Sequence, residues 1–147
     1  MMRNRLAVGF LLVAALGACI FSKRPQKVVA IKMPAGSVVL ADLAQTPGER
    51  SRGLSGRRRL PEDSGMLFIF DTQDDWSMWM KDMRFAIDIV YLGSDKRVSS
   101  VKTAVPAPEQ TPGGTIVTVS GQGRYVLELP VGAAVRHGLK VGSQLVF

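Results

Sequence analysis

The apolar positions of this chain fall into two regimes. From Leu6 to Phe21 they form an unbroken run, whereas from Val28 onward they come in short bursts rich in Val and Ile, punctuated by Gly, Pro and Asp. Short β-branched bursts bounded by turn residues are the pattern of strands, because branched side chains pack well on a pleated surface and lose rotamer freedom in a helix. The bursts predict strands near Val28–Lys32, Ser37–Ala44, Met66–Phe70, Ser77–Met80, Phe85–Leu92, Arg97–Val105, Thr115–Val119, Arg124–Leu129 and Ser143–Phe147.

Two short helices interrupt the strands. Thr46-Pro47-Gly48-Glu49 carries a hydroxyl N-cap, Pro at the first helical position and Glu three residues after the cap, a reciprocal capping signal, with Gly53 or Gly56 placed to end the helix. The second runs from Val131 to His137, with Gly138 available for a left-handed cap. Segments 106–114 and 120–123 are rich in Pro and Gly and read as loops. The fold class expected is mainly β: a small antiparallel β-sandwich or barrel-like domain with one or two short helices.

The amino-terminal run has the profile of an export signal. Arg3 and Arg5 precede 16 residues from Leu6 to Phe21, after which Ser22, Lys23 and Arg24 restore polar chemistry. As a helix the run would reach roughly 24 Å, short of the roughly 30 Å hydrocarbon core that a spanning helix crosses. Leu16-Gly17-Ala18-Cys19 resembles the lipobox of bacterial lipoproteins, in which a peptidase cuts just before a Cys that becomes acylated. That resemblance implies a signal peptide over residues 1–18, lipid attachment at Cys19, a polar tether over 19–27 and a single β-rich domain over 28–147. Two or more acyl chains give stable membrane anchoring where one does not. Cleavage there would remove 18 residues and two Arg, leaving 129 residues and a formal charge of +5.

Composition narrows the chemistry. The single Cys excludes an internal disulfide, and the single His removes the usual catalytic triads and His-based metal sites, so no cofactor and no metal are expected. Met66, Met78, Met80 and Met83 are soft sulfur ligands in a small span, but without a nearby His they read as core filling. Arg50, Arg52, Arg57, Arg58 and Arg59 form the densest charge in the chain. In an exported protein such a cluster faces lipid headgroups or anionic polymers, or is simply solvated, and nucleic acid is not the expected partner.

Several stretches carry a wider resemblance. Glu49-Arg50-Ser51-Arg52-Gly53-Leu54-Ser55-Gly56-Arg57, Gly65-Met66-Leu67-Phe68-Ile69-Phe70, Trp79-Met80-Lys81-Asp82, Ile87-Asp88-Ile89 and Leu127-Glu128-Leu129-Pro130-Val131-Gly132 follow one another as in the domain of unknown function 192 family. The resemblance spans essentially Val28 to Phe147. It implies a small β-sandwich domain, often exported, and carries no established activity; the chain departs from the usual pattern at Ser55, Asp82, Met83 and Ala86.

Candidate site residues follow from misplaced charge and exposed aromatics. Phe85–Leu92 is apolar on both alternating faces except at Asp88, and a carboxylate in a doubly covered strand needs a cation or backbone donors. An ion pair of Asp88 with Arg50 or Arg57 is the structural expectation. Extended, Trp76-Ser77-Met78-Trp79-Met80-Lys81 places Trp76, Met78 and Met80 on one face and Ser77, Trp79 and Lys81 on the other. Trp79, Lys81, Asp82 and Asp88 are therefore the candidate ligand-binding set, with the indole stacking on a sugar or apolar ligand and the charges orienting it. Glu128 shares a strand face with Val126 and is a further candidate for a half-buried carboxylate.

The expected function is a lipid-anchored protein of the bacterial envelope, facing the periplasm or exterior, with the membrane, an envelope glycan or small ligand, or a protein as partner. A non-enzymatic binding or accessory role is the first reading, since no nucleophile–base pair or phosphate loop is present. The alternative is a hydrolase using carboxylates alone, with Asp88 and Asp82 or Glu128 as acid and base.

Overall fold

The computed structural model describes residues 27–147, so the expected signal segment and Cys19 lie outside the described residues. Six strands form one mixed sheet: β1 (Val28–Lys32), β2 (Val38–Ala44), β3 (Ser64–Trp79), β4 (Ile87–Leu92), β5 (Val98–Val105) and β6 (Thr118–Pro130). Their spatial order is β1-β2-β3-β6-β4-β5. Two short helices, α1 (Pro47–Arg52) and α2 (Ala133–Arg136), complete the mainly β domain expected from the sequence.

The sheet is not wholly antiparallel. β2 and β3 pair in parallel, from Leu40 opposite Ser64 to Ala44 opposite Phe68. Parallel neighbours need a crossover of a dozen or more residues, and the segment carrying α1 supplies it. The crossover fixes which face it covers, because Leu54, just past α1, packs with Met66, Phe68 and Ile89. The capping box read from the sequence holds the start of α1: Thr46 Oγ1 accepts from the Glu49 amide, and Glu49 Oε2 accepts from the Thr46 amide.

Two expected breaks between strands are absent. Met66–Phe70 and Ser77–Met80 belong to one bent strand, β3, and the segment 120–123 expected as a loop lies within β6. The polar stretch Asp71–Asp75 misled the pattern because it is the bend itself: Ile69 pairs with Tyr125 and the next paired residue, Asp74, meets Gly123. Such an unequal count of residues bends a ribbon sharply. Past the bend the β3–β6 ribbon returns over its own sheet, so that Phe70 and Trp76 stack with ring centroids 3.9 Å apart and the Tyr91 hydroxyl donates to the Val119 carbonyl at 3.1 Å. Segment 106–114 likewise contains two single-turn 3-10 helices, and Ser143–Phe147 makes isolated bridges through Gln144 and Val146 in place of a strand.

The sheet buries both faces. One core gathers Ile31, Val39, Leu67, Val90, Leu127 and Leu129 under α2 and the carboxy-terminal segment. The other gathers Met66, Phe68, Met78, Met80, Ile89 and Tyr91 beneath the crossover and the folded-back ribbon. Met83 packs there too, so all four clustered methionines fill core space.

A cleft with a buried carboxyl at its floor

The second core does not close completely. Between α1 with its following loop and the folded-back ribbon a cleft of about 260 Å³ remains, walled by Leu54, Phe68, Phe70, Met78, Met83 and Trp79, edged by Arg50 and Arg52, and reaching Glu128. The far end of the crossover is tied down by Ser55 Oγ donating to the Lys81 carbonyl at 2.8 Å and by the Gly56 amide donating to the Asp82 carbonyl at 2.9 Å. A second, more open hollow of about 670 Å³ beside Asp82, Arg84, Glu109 and Ile116 is lined mostly by exposed residues and offers little enclosure.

Glu128 is placed by sheet register. Asp42 pairs with Met66, Met66 with Glu128, and Glu128 with Ile89, so these side chains form one row across β2, β3, β6 and β4. Met66 and Ile89 flank the carboxyl with hydrocarbon, and Glu128 Oε2 is buried without a hydrogen-bond partner. Burial pushes its carboxyl up to about 8, against the opposing pull of the Arg57 guanidinium. Arg57 itself pairs with Asp42 at 2.7 Å, at the start of the same row. Tyr91 faces the row from β4; burial, and secondly the charge of Glu128, drive its phenol above the usual range.

The predicted site residues separate. Trp79 lines the cleft, half exposed, with Lys81 Nζ 5.6 Å from its ring centroid. Asp82 turns away to the open hollow, in a left-handed conformation at φ 57°.

Asp88 is on the opposite face of the sheet, fully buried, and the ion pair expected with Arg50 or Arg57 gives way to backbone donors. Its Oδ1 accepts the Ala104 amide and its Oδ2 the Ala134 amide, both at 2.9 Å. The register explains why. Ile87 pairs with Val105 and Ile89 with Lys102, so β5 carries an extra residue opposite Asp88, and the carboxylate satisfies an amide that the bulge leaves out of the ladder. Ala134 lies in the first turn of α2, whose N-cap is Gly132 and has no side chain, so Asp88 caps that helix from β4. Arg50 meanwhile donates to the carbonyls of Gln45 and Ile69 and lies over the Phe70 ring.

The sequence offers Glu128 as a candidate half-buried carboxylate and as an acid or base of the alternative hydrolase; its full burial and its place at the cleft depend on partners far along the chain. His137, at the end of α2, is buried with Nδ1 2.7 Å from Ser37 Oγ. Among the described residues no three His, Cys, Asp or Glu side chains converge as a metal site.

Solved structures share this architecture. A proposed transcription regulator from Sinorhizobium meliloti 1021 superposes with a TM-score of 0.70 at 27% identity, covering 81% of this chain and 91% of its own. A protein of unknown function from Novosphingobium aromaticivorans DSM 12444 gives a TM-score of 0.71 at 28% identity, covering 82% of this chain and 85% of its own. No curated protein matches the sequence. The sequence profile of the domain of unknown function 192 family, described as uncharacterized, matches residues 21–147, and the chain belongs to that family.

Proposed function

We propose that this chain is an exported, lipid-anchored binding module of the bacterial envelope that holds a small ligand in the Glu128 cleft without transforming it. The observation that carries the reading is Glu128 Oε2, a buried polar atom without a partner in a mainly apolar cleft. Buried polar atoms are nearly always satisfied, so an orphan beside a cavity is what a missing ligand leaves. Arg3, Arg5, the apolar run to Phe21 and the Ala18-Cys19 junction support export and acylation.

A carboxylate-pair hydrolase finds less support. Asp88 and Glu128 occupy opposite faces of the sheet, both oxygens of Asp88 are engaged by amides, and Asp82 opens onto a different hollow. Among the described residues that line the cleft, Glu128 is the one carboxyl, with no second to share acid and base work. An envelope position turns the Arg50–Arg59 cluster toward anionic polymers and headgroups, so the regulator description of the Sinorhizobium protein does not extend to this reading.

Two measurements test it. Membrane fractionation of cells expressing the full chain should place the wild type with the membranes and Cys19→Ser in the soluble fraction; equal partition of the two removes the anchor. Native mass spectrometry after incubation with envelope extract should show a small-molecule adduct that is lost in Glu128→Leu and weakened in Trp79→Ala. An adduct unchanged in both places the ligand elsewhere.

A further inference from the structure

The chemistry of the cleft selects among ligand classes, on the reading that the cleft is a ligand site. Its walls are mainly hydrocarbon, aromatic ring and thioether, supplied by Leu54, Phe68, Phe70, Met78, Met83 and Trp79; of the lining hydroxyls, Ser55 is engaged by the Lys81 carbonyl and Ser77 by Ser120, and Ser51 is exposed. A sugar carrying a hydroxyl on most carbons would face these walls with donors and acceptors unmatched, and each unmatched buried group costs about 1–3 kcal/mol. The occupant therefore has a largely apolar body. It is also small, because about 260 Å³ lies just below the roughly 300–1,000 Å³ typical of ligand pockets.

The charged groups at the edge of the cleft are guanidiniums. Arg50 and Arg52 edge it, and the Arg57 guanidinium acts on Glu128 from the Asp42 end of the row. A cationic ligand would meet the guanidinium groups of Arg50 and Arg52, while the charge of Arg57 is offset by its partner Asp42. Glu128 itself prefers its neutral form in this setting, and a neutral carboxyl has an O–H to donate. Around Glu128, Arg57 acts on its carboxyl from the crossover, Tyr91 lies near it on β4, Asp42 stands at the β2 end of its row, and Arg50 and Arg52 line the same cleft from α1. Asp42 is the one acidic group among them, and it is already paired with Arg57.

We propose that the cleft binds a small organic anion with an apolar body, a carboxylate being the simplest case. The anionic oxygen accepts a hydrogen bond from the neutral Glu128 carboxyl, the body lies against Phe70, Met78 and Trp79, and the field of Arg50 and Arg52 favours the negative charge. Binding and protonation of Glu128 are then linked: ionised Glu128 loses the donor and repels the ligand.

The test uses calorimetric titration of the purified full chain with phenylacetate, benzoate and hexanoate, each beside its neutral amide, and with phenethylamine. These acids are ionised throughout the range from pH 6.5 to 9. At least one carboxylate should bind more tightly than its amide, and its affinity should fall roughly tenfold from pH 7 to pH 9, as a donor titrating near 8 requires. In Glu128→Gln, whose side-chain amide still donates but cannot ionise, binding should persist with that pH dependence removed, and Arg52→Gln should weaken every carboxylate. Binding by amides or by the amine alone overturns the anion assignment while leaving the cleft a ligand site. Failure of the whole panel overturns it too, and whether the cleft then holds any ligand is read separately from the native mass adduct. A pH dependence retained in Glu128→Gln overturns the linkage.

Discussion

Asp88 and Glu128 lie one register step apart on the paired strands β4 and β6, Asp88 opposite Leu129 and Glu128 opposite Ile89, and so point to opposite faces of the sheet. That single offset divides their roles. Asp88 meets two backbone amides and closes a structural gap, while Glu128 meets hydrocarbon and an open cleft.

For Asp88 the expected consequence of substitution is lost stability. Asp88→Ala leaves the part-buried Ala104 amide and the buried Ala134 amide unmatched, which should cost about 2–4 kcal/mol in urea unfolding; Asp88→Asn, which retains one acceptor oxygen, should cost about 1–2 kcal/mol. Carboxylate binding by the folded fraction should be unchanged in both. A loss below about 1 kcal/mol in Asp88→Ala would mean that water or another donor replaces the clamp.

Glu128 should make stability depend on pH in the direction opposite to a paired carboxylate. Its folded value of about 8 lies above the ordinary 4.5, so below 4.5 both states hold the proton and its contribution is fully present. Between about 4.5 and 8 the unfolded chain releases a proton that the folded chain keeps, and stability should fall by roughly 1 kcal/mol per pH unit before levelling off. Urea unfolding from pH 5 to 9 should show this slope in the wild type and its removal in Glu128→Gln. Equal slopes in the two proteins would assign the dependence to other groups.

Closure of the ribbon rests on Gly121. A Cβ there would stand 2.6 Å from Cδ2 of the Tyr91 ring, so Gly121→Ala must push the ribbon or the ring aside. The expected cost is about 1–3 kcal/mol by denaturant titration, together with a rise in Trp76 solvent exposure by fluorescence quenching. Unaltered quenching would show that the ribbon does not depend on this approach.

The cleft wall begins at the α1 cap. Thr46→Ala removes the acceptor for the Glu49 amide and should destabilise the domain by about 1 kcal/mol. Gly53 ends the helix at φ 49° and ψ −134°, where a Cβ would also come 3.2 Å from the Phe68 ring, so Gly53→Ala should cost more than the cap substitution. Chemical denaturation of both variants checks the order.

Local signals were legible in the sequence. Thr46, Pro47 and Glu49 announced α1, Phe85–Leu92 announced a strand covered on both faces, and the alternation from Trp76 to Met80 placed Met78 and Met80 inward. What required the structure was pairing between distant segments. Asp71–Asp75 and Gly121–Gly123 read as loops because a bend and a close aromatic approach need the same polar and glycine residues that turns use. The Asp88 clamp depends on a bulge 16 residues away and a helix end 46 residues away, and neither leaves a local mark at position 88. Glu128 reads as a half-buried carboxylate at most, and its full burial beside a cleft follows only once Met66, Ile89 and the crossover are set around it.

The most direct measurement is a carbon-13 NMR titration of the Glu128 side-chain carboxyl, assigned by its loss in Glu128→Gln. A buried carboxyl at the floor of an apolar cleft predicts a midpoint near 8. A midpoint near the ordinary 4.5 would contradict its place as the neutral donor on which the binding site is built.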